Sequence, residues 1–471
     1  MKLKRPGAAI LVAAASLRLF AAFTSLGFDH PNEPFRLLEP LAQFQGWAAI
    51  PPWEWTQGLL FELPVRAHLP IVKLLLALGL SPAGQVTGLK VLYALLSLLV
   101  VVASGKLAAA ISRPELARRA ELAAMAIAAF WPELIYQSVR LMDYSLEAAL
   151  LAASWLLLLR GSRRLGSANL LFTASGLLLG LALFIRPQSG LHLIPLLVAA
   201  WAFSGAKKAP ILICLGYGLS VALGGVLELA LTSRPNAYFL QPLWNYLHFN
   251  AVEGGAARDY GIAPAHRYFT DVAKYFGWWG LVAALSALNS TLQDHWPSFK
   301  SRLMKCALAL LLAFVFPILV HSLIAHKEAR FLFGSLWLLI PVATAAGFET
   351  TRVAARPSSR LSPRNFSIFL IIALLIGAAV SAVRVSHRWL NRDTDVRQFS
   401  NISNGLPQTA LEIHVHTDPV TFPAGFLFQR PGILCYPDPG RPLFPCPTVR
   451  SALPLVTIER GPQGWERNGK N

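Results

Sequence analysis

Apolar runs near twenty residues recur along most of the chain, separated by short turns rich in Lys and Arg. A helix rising about 1.5 Å per residue over such a run crosses a hydrocarbon layer of about 30 Å. The pattern predicts spans near 7–25, 86–112, 120–138, 144–160, 168–185, 189–204, 209–232, 276–292, 303–323, 331–348 and 366–385. The stretch 64–82 is also apolar, but Arg66, His68 and Lys73 give it a polar stripe. That suits a helix lying in the interface or re-entering it. Beyond the last run, ALEIHVHT and LPLVTIER read as short strands within a Pro-rich tail. The expectation is an all-α polytopic membrane domain over 1–385 with about eleven transmembrane helices, then a small extracytoplasmic α+β domain over 386–471.

Charge sets the orientation. Only 14% of the residues are charged and 55% are hydrophobic, whereas a soluble domain carries about 25% charged residues. The net charge of +18 therefore belongs to membrane topology, and nucleic-acid binding is set aside. If 64–82 does not cross, the basic clusters at Arg113–Arg119, Arg160–Arg164, Lys207–Lys208, Lys300–Lys305 and Arg352–Arg364 share one side with the basic N-terminus. The positive-inside rule makes that side cytoplasmic. Lys2, Lys4 and Arg5 precede an apolar run without a small-residue cleavage site, so the run reads as a retained first helix. The opposite side receives 26–63 and its interfacial extension, 139–143, 186–188, 233–275, 324–330 and the tail, which hold most of the Asp, Glu and His.

Those external segments carry the candidate chemistry. The first loop reads Phe28-Asp29-His30-Pro31-Asn32-Glu33-Pro34-Phe35, continues to Glu39-Pro40 and ends in Trp53-Glu54-Trp55. Carboxylates at a membrane exit can serve as a general base, and the bland alternative is a solvated acidic loop. Arg140 precedes Asp143 and Glu147; an intramembrane carboxylate needs a cation or a wet cavity, and a structural Arg140–Glu147 pair would meet that need. Arg186-Pro187 ends a span, where a guanidinium could fork onto a phosphate or simply snorkel. The long loop adds Tyr260, His266 and Tyr268, and the last external turn is His326-Lys327-Glu328-Ala329-Arg330-Phe331. Two or three cations with a carboxylate at membrane depth suit a lipid-phosphate head group. No nucleotide-binding or metal-ligand spacing stands out. Asp393-x-Asp395 and His414-x-His416 are too short to carry a metal assignment, and no cofactor is indicated, although a divalent cation is not excluded by sequence. Cys435 and Cys446 flank a Pro-rich loop and could pair in an oxidising compartment.

Taken in order, these pieces resemble glycosyltransferase family 22, the multi-span mannosyltransferases of N-glycan and GPI-anchor assembly, especially the GPI third-mannose transferases and their bacterial relatives. The family's His-Pro-Asp-Glu loop is similar to His30-Pro31-Asn32-Glu33, with Phe35 and Glu39-Pro40 following. Trp53-Glu54-Trp55 and Arg66-Ala67-His68-Leu69-Pro70 resemble its next two elements. Arg140 to Glu147 resembles Arg-Thr-Phe-Ser-Asn-Ser-Leu-Glu, with Asp143 and Tyr144 as departures. Arg186-Pro187, Asn245, Tyr260-Gly261 and Pro264-x-His266-x-Tyr268-Phe269 match in turn, and His-Lys-Glu-x-Arg-Phe is intact at His326 to Phe331.

The resemblance implies a GT-C-type fold with an active site at the outer face. It implies a polyprenyl-phosphate-linked mannose donor and inverting transfer to a glycan or glycolipid hydroxyl. An acidic residue of the first loop would be the base. Asn32 stands where many members carry Asp, so Glu33 is the expected base with Asp29 in reserve. His30, Asn32, Glu39, Glu54, Trp55, Arg140, Glu147, Arg186, Tyr260, His266, Tyr268, His326, Lys327, Glu328 and Arg330 are the expected substrate-binding set. Short tails and high Ala, Leu and Arg content lean toward a bacterial inner membrane with the site facing the periplasm; in a eukaryote it would face the endoplasmic reticulum lumen. A GT-C transferase of another lipid-linked sugar, or a lipid or anion transporter, are the alternatives. The transporter is disfavoured by the absence of a visible internal repeat.

Overall fold

The computed structural model describes residues 5–25, 27–28, 30, 32–47, 49, 52–163, 167–232, 234, 236–275, 302–354, 371–372 and 374–389, and strands at 411–416, 432–435, 455–461 and 464–468. The predicted span 276–292, Asp29, Asp393, Asp395 and Cys446 lie outside the described residues.

Helices dominate the described residues up to 389. Among the described residues, six helices are long and apolar enough to cross a membrane, or seven if a pair bent by 53° at Arg330–Leu336 and Leu339–Glu349 forms one span. The predicted run 86–112 is continuous across α5 (Pro82–Leu96) and α6 (Leu98–Ile111). Ser81 caps its start by accepting from the Gly84 amide, with Pro82 at the first helical position. The predicted span 120–138 starts earlier and divides into α7 (Pro114–Phe130) and α8 (Pro132–Gln137). Pro132 pushes Trp131 into extended backbone, at φ −67° and ψ 119°, which ends the helix there. The stretch read as interfacial forms α4 (Leu63–Ala77), whose 15 residues include Pro70. The tail strands β1 (Leu411–His416), β2 (Gly432–Cys435), β3 (Leu455–Gly461) and β4 (Gly464–Asn468) form one sheet in the order β2-β1-β3-β4. β1 is parallel to β2 and β3, and β4 is antiparallel to β3.

Two charged residues within the spans bond backbone groups of neighbouring segments. Arg18 of α1 (Arg5–Thr24) is buried and donates to the carbonyls of Ala128 and Ala129 at 2.8 and 3.0 Å, and to the Ser97 hydroxyl at 3.0 Å. It thereby serves carbonyls that the break after α7 leaves without helical partners. Glu228 of α12 (Lys208–Leu231) accepts from the first amides of α4, Glu62 N at 2.9 Å and Leu63 N at 2.8 Å, and pairs with Arg234 at 2.9 Å. A carboxylate on a helix N-terminus is favourable, so this membrane charge ties α4 to the bundle.

α10 (Ala168–Ile185) lies directly on α12 through glycine. A Cβ added at Gly176 would fall 2.1 Å from the Ile213 carbonyl oxygen, and one at Gly216 would fall 2.0 Å from that of Thr173. In lipid, helix association relies on such close backbone approach. Gly216→Ala is expected to force the pair apart at a cost of about 1–3 kcal/mol, read as a lower melting temperature in detergent. An unchanged melting curve would contradict this packing. The opposite face of α12 exposes Ile211, Leu215, Leu219 and Leu223 at four-residue spacing, as a lipid-facing stripe requires.

Candidate active site

The first loop is set by cations beneath it. α1 ends at Thr24, and the turn that follows is held by Lys90 of α5 and by Arg140 in the bend after α8. Lys90 of α5 donates to the carbonyls of Ser25 and Gly27, the latter at 3.2 Å. Arg140 donates to the Gly27 carbonyl at 2.7 Å and to the Ser25 hydroxyl. Arg140 also lies 3.8 Å from Glu33, whose other carboxylate oxygen accepts from the Leu141 amide at 3.2 Å. Glu33 is 0% exposed and fastens the loop to the segment before α9 (Asp143–Gly161).

Above this floor opens a cavity of about 390 Å³, within the usual size of small-molecule sites. One wall is aromatic: the Trp53 ring lies 5.4 Å from Phe249 and 6.2 Å from Tyr260, and Tyr260 lies 5.7 Å from His326. Arg36 and Arg330 bring guanidinium groups to it, Glu54 and Glu328 bring carboxylates, and His30, Asn32 and Gln188 add hydrogen-bonding groups.

Two charge networks frame the cavity. Arg36 joins Glu54 at 3.3 Å to Asp143 at 2.9 Å. Asp143 leads to Arg186 at 3.7 Å, and Arg186 to Glu147 at 3.0 Å, where the Ser189 hydroxyl also donates at 2.7 Å. Glu147 has room because position 334 is glycine; a Cβ there would fall 2.1 Å from its carboxylate oxygen. Burial disfavours the charge on Arg36, but Glu54 and Asp143 outweigh it and hold the guanidinium above its ordinary pKa. In the second network Glu328 meets His326 at 2.8 Å, Arg330 through Nη2 at 2.9 Å and His30 at 3.6 Å. Burial would raise the Glu328 carboxyl, yet hydrogen bonds from His30 and His326 and the Arg330 charge hold it far below the carboxylate range. Such a carboxylate orients cations and makes a weak proton acceptor.

His326 is raised above its ordinary pKa by the hydrogen bond to Glu328, against burial and with help from the Gly261 carbonyl. Its protonated form therefore contributes stability that is complete below about pH 6.5 and is lost as pH climbs through the raised folded value. The melting-temperature gap between wild type and His326→Gln should shrink as pH rises. A gap that widens with pH would reverse this assignment.

The structure gathers His30, Asn32, Glu54, Tyr260, His326, Glu328 and Arg330 of the expected residues around the cavity. Glu33 is not among the lining residues, because Arg140 and the Leu141 amide take its carboxylate into the loop floor. Arg140, Glu147 and Arg186 are likewise buried beside the cavity and not in its lining, and Arg140 bonds the first-loop turn instead of Glu147. Lys327 spends its ammonium on the carbonyls of Ala263 at 3.0 Å, Ile324 and Ala325, which pins the preceding loop. Glu39 and Tyr268 are fully buried, and His266 is exposed away from the lining. Trp55 packs edge-on against Phe44 at 5.7 Å, and Trp53 reaches the cavity in its place. In the helix Trp53–Thr56, successive residues turn about 100°, so two tryptophans two apart cannot share a face.

Sequence reasoning missed Arg36, Gln188 and Asn250, which line the cavity together with Tyr246 of the long external loop. Gln188 directly follows Arg186-Pro187, which is the only local signal that it offered. Among the described residues, no group of three or more His, Cys, Asp or Glu gathers as a metal site.

Comparison with known proteins bears on the same chain. Residues 9–409 match the model of the Alg9-like mannosyltransferase family. The chain is 27% identical over 379 residues to GPI mannosyltransferase 3 of Yarrowia lipolytica, covering 78% of this chain and 66% of that one. It is 27% identical over 337 residues to GPI alpha-1,2-mannosyltransferase 3 of Xenopus laevis, covering 69% and 57%. It therefore spans less than two thirds of either relative. Among solved structures, ArnT from Cupriavidus metallidurans bound to undecaprenyl phosphate superposes with a TM-score of 0.57 at 12% identity, covering 97% of this chain and 93% of that one. The Archaeoglobus fulgidus oligosaccharyltransferase gives 0.55 at 12% identity, covering 91% and 64%. At these identities the likeness is one of fold, that of GT-C enzymes.

Proposed function

From its membership of the Alg9-like mannosyltransferase family, to which the chain belongs, we propose that it is a multi-pass membrane mannosyltransferase. It takes the sugar from a polyprenyl-phosphate carrier and passes it to a hydroxyl of a glycan or glycolipid, with inversion, on the non-cytoplasmic face. The observation that carries this reading is the convergence of Arg36, Arg330 and Glu54 on one cavity with an aromatic wall.

In this reading the acceptor oxygen attacks the anomeric carbon from the side opposite the phosphate. The new C–O bond forms as the bond to the phosphate oxygen breaks, and the electron pair leaves on the lipid phosphate. Arg36 and Arg330 face the charge that grows there, and pre-placed cations need little reorganisation. The hydroxyl proton goes to a first-loop carboxylate. Glu54 lines the cavity and is the carboxylate we assign; Glu33 positions the loop from below. Asp29, next to the cavity-lining His30, is the other first-loop candidate.

Purified protein in lipid nanodiscs, given polyprenyl-phosphate-mannose and a panel of glycan and glycolipid acceptors, is expected to form a mannosylated product with inverted anomeric configuration. A folded protein that neither transfers nor hydrolyses the donor with any acceptor would overturn the proposal.

A further inference from the structure

Two amides in the cavity wall hold atoms that nothing among the described residues satisfies. Gln188 follows Pro187 in the turn after α10 and donates through Nε2 to the Tyr246 hydroxyl, while its Oε1 is buried without a partner. Turning the amide over changes nothing, because a phenol can donate or accept. Either orientation bonds one amide atom and strands the other. Asn32 is 8% exposed, and its Nδ2 is likewise buried without a partner. Both side chains line the cavity. Native proteins leave few buried polar atoms unbonded, so these two amide atoms, which share the lining of one cavity with the unbonded Arg36 Nε, point to a ligand that completes them.

The chemistry of the two atoms narrows that ligand. Asn32 Nδ2 offers a hydrogen, and Gln188 offers a lone pair or, with its amide turned over, a hydrogen. An ionised phosphate only accepts, so it can complete Gln188 in one orientation alone, whereas a hydroxyl can complete it in either. A hydroxyl both donates and accepts. Trp53, backed by Phe249 and Tyr260 on the same cavity, adds a flat apolar surface for the C–H face of a ring.

We infer that Gln188 and Asn32 form a hydroxyl-reading subsite for a hexose, with Tyr246 holding Gln188 in place. The subsite deepens the proposed transfer, and rests on it for the presence of a sugar. It selects hexoses by their free hydroxyls, independently of the guanidinium groups that meet the phosphate. The hexose is that of the donor or that of the acceptor, and the experiment separates the two.

The test measures affinity in nanodiscs by thermal shift for wild type, Gln188→Leu and Tyr246→Phe. The probes are sugar-free polyprenyl phosphate, polyprenyl-phosphate-mannose, its single-deoxy analogues, and methyl mannosides with their deoxy analogues as acceptor mimics. In wild type, losing the hydroxyl that Gln188 reads should weaken binding about tenfold. In Gln188→Leu the same loss should matter less than about twofold, and the sugar-free carrier should bind both proteins alike. The probe series showing this pattern identifies the hexose as donor or acceptor. Equal discrimination by wild type and both variants overturns the inference, as does a Gln188→Leu defect of the same size for the sugar-free carrier. Should Gln188→Leu not fold, Tyr246→Phe alone decides, since it frees Gln188 without altering its turn. Hydroxyl discrimination that persists without any transfer would sink the transferase reading and leave the subsite standing.

Discussion

Glu54→Gln is expected to lower the turnover of sugar transfer by about 10²–10⁴-fold, the usual contribution of a general base, with little change in donor affinity. Glutamine keeps the size of the side chain, and its carbonyl can still accept from Arg36, which meets Glu54 at 3.3 Å. What it loses is the capacity to take a proton. Glu33→Gln supplies the contrast. That carboxylate is buried against Arg140 and the Leu141 amide, so its replacement should lower the melting temperature and reduce turnover only in proportion to the loosened loop. A Glu33→Gln protein that melts normally but is inactive, beside an active Glu54→Gln, would return the base role to Glu33.

Arg36→Met is expected to cost about 10²–10³-fold in turnover, as removal of one preorganised donor from a developing charge does. Arg36 also separates Glu54 from Asp143, bonding each. Without it, Glu54 and Asp143 lose the cation they share, and binding of an anionic carrier should weaken as well. Arg36→Lys keeps the charge but not the planar fork, so it should restore binding more than turnover. Activity of Arg36→Met within about threefold of wild type, against the cost expected for such a donor, would remove phosphate stabilisation from its role.

Much of the framework is legible in local pattern. The apolar runs mark α1, α9, α10 and α12 to within a few residues, because burial in lipid demands length and composition that a single segment must satisfy by itself. The breaks are less legible. Trp131-Pro132 is a visible helix end, yet the continuous hydropathy around it reads as one span.

The candidate site divides the same way. The ordered motifs, from His30 through Arg186 to His326–Phe331, are carried by sequence alone and lead to the family. Which of their side chains reach the cavity is not. Glu33 and Glu54 are both first-loop carboxylates, and Lys327 and Arg330 are both cations of one turn. Their difference comes from groups far along the chain. The Leu141 amide that takes Glu33 lies 108 residues away, and the Ala263 carbonyl that takes Lys327 lies 64 residues away. The sequence by itself determined the membrane-spanning character and the set of chemical groups, because hydropathy and motif order are properties of contiguous residues. Only the tertiary structure decided that Glu33, Arg140 and Lys327 hold the scaffold while Arg36, Glu54, Gln188 and Arg330 face the cavity, because a buried charge bonds whatever partner the packing brings to it.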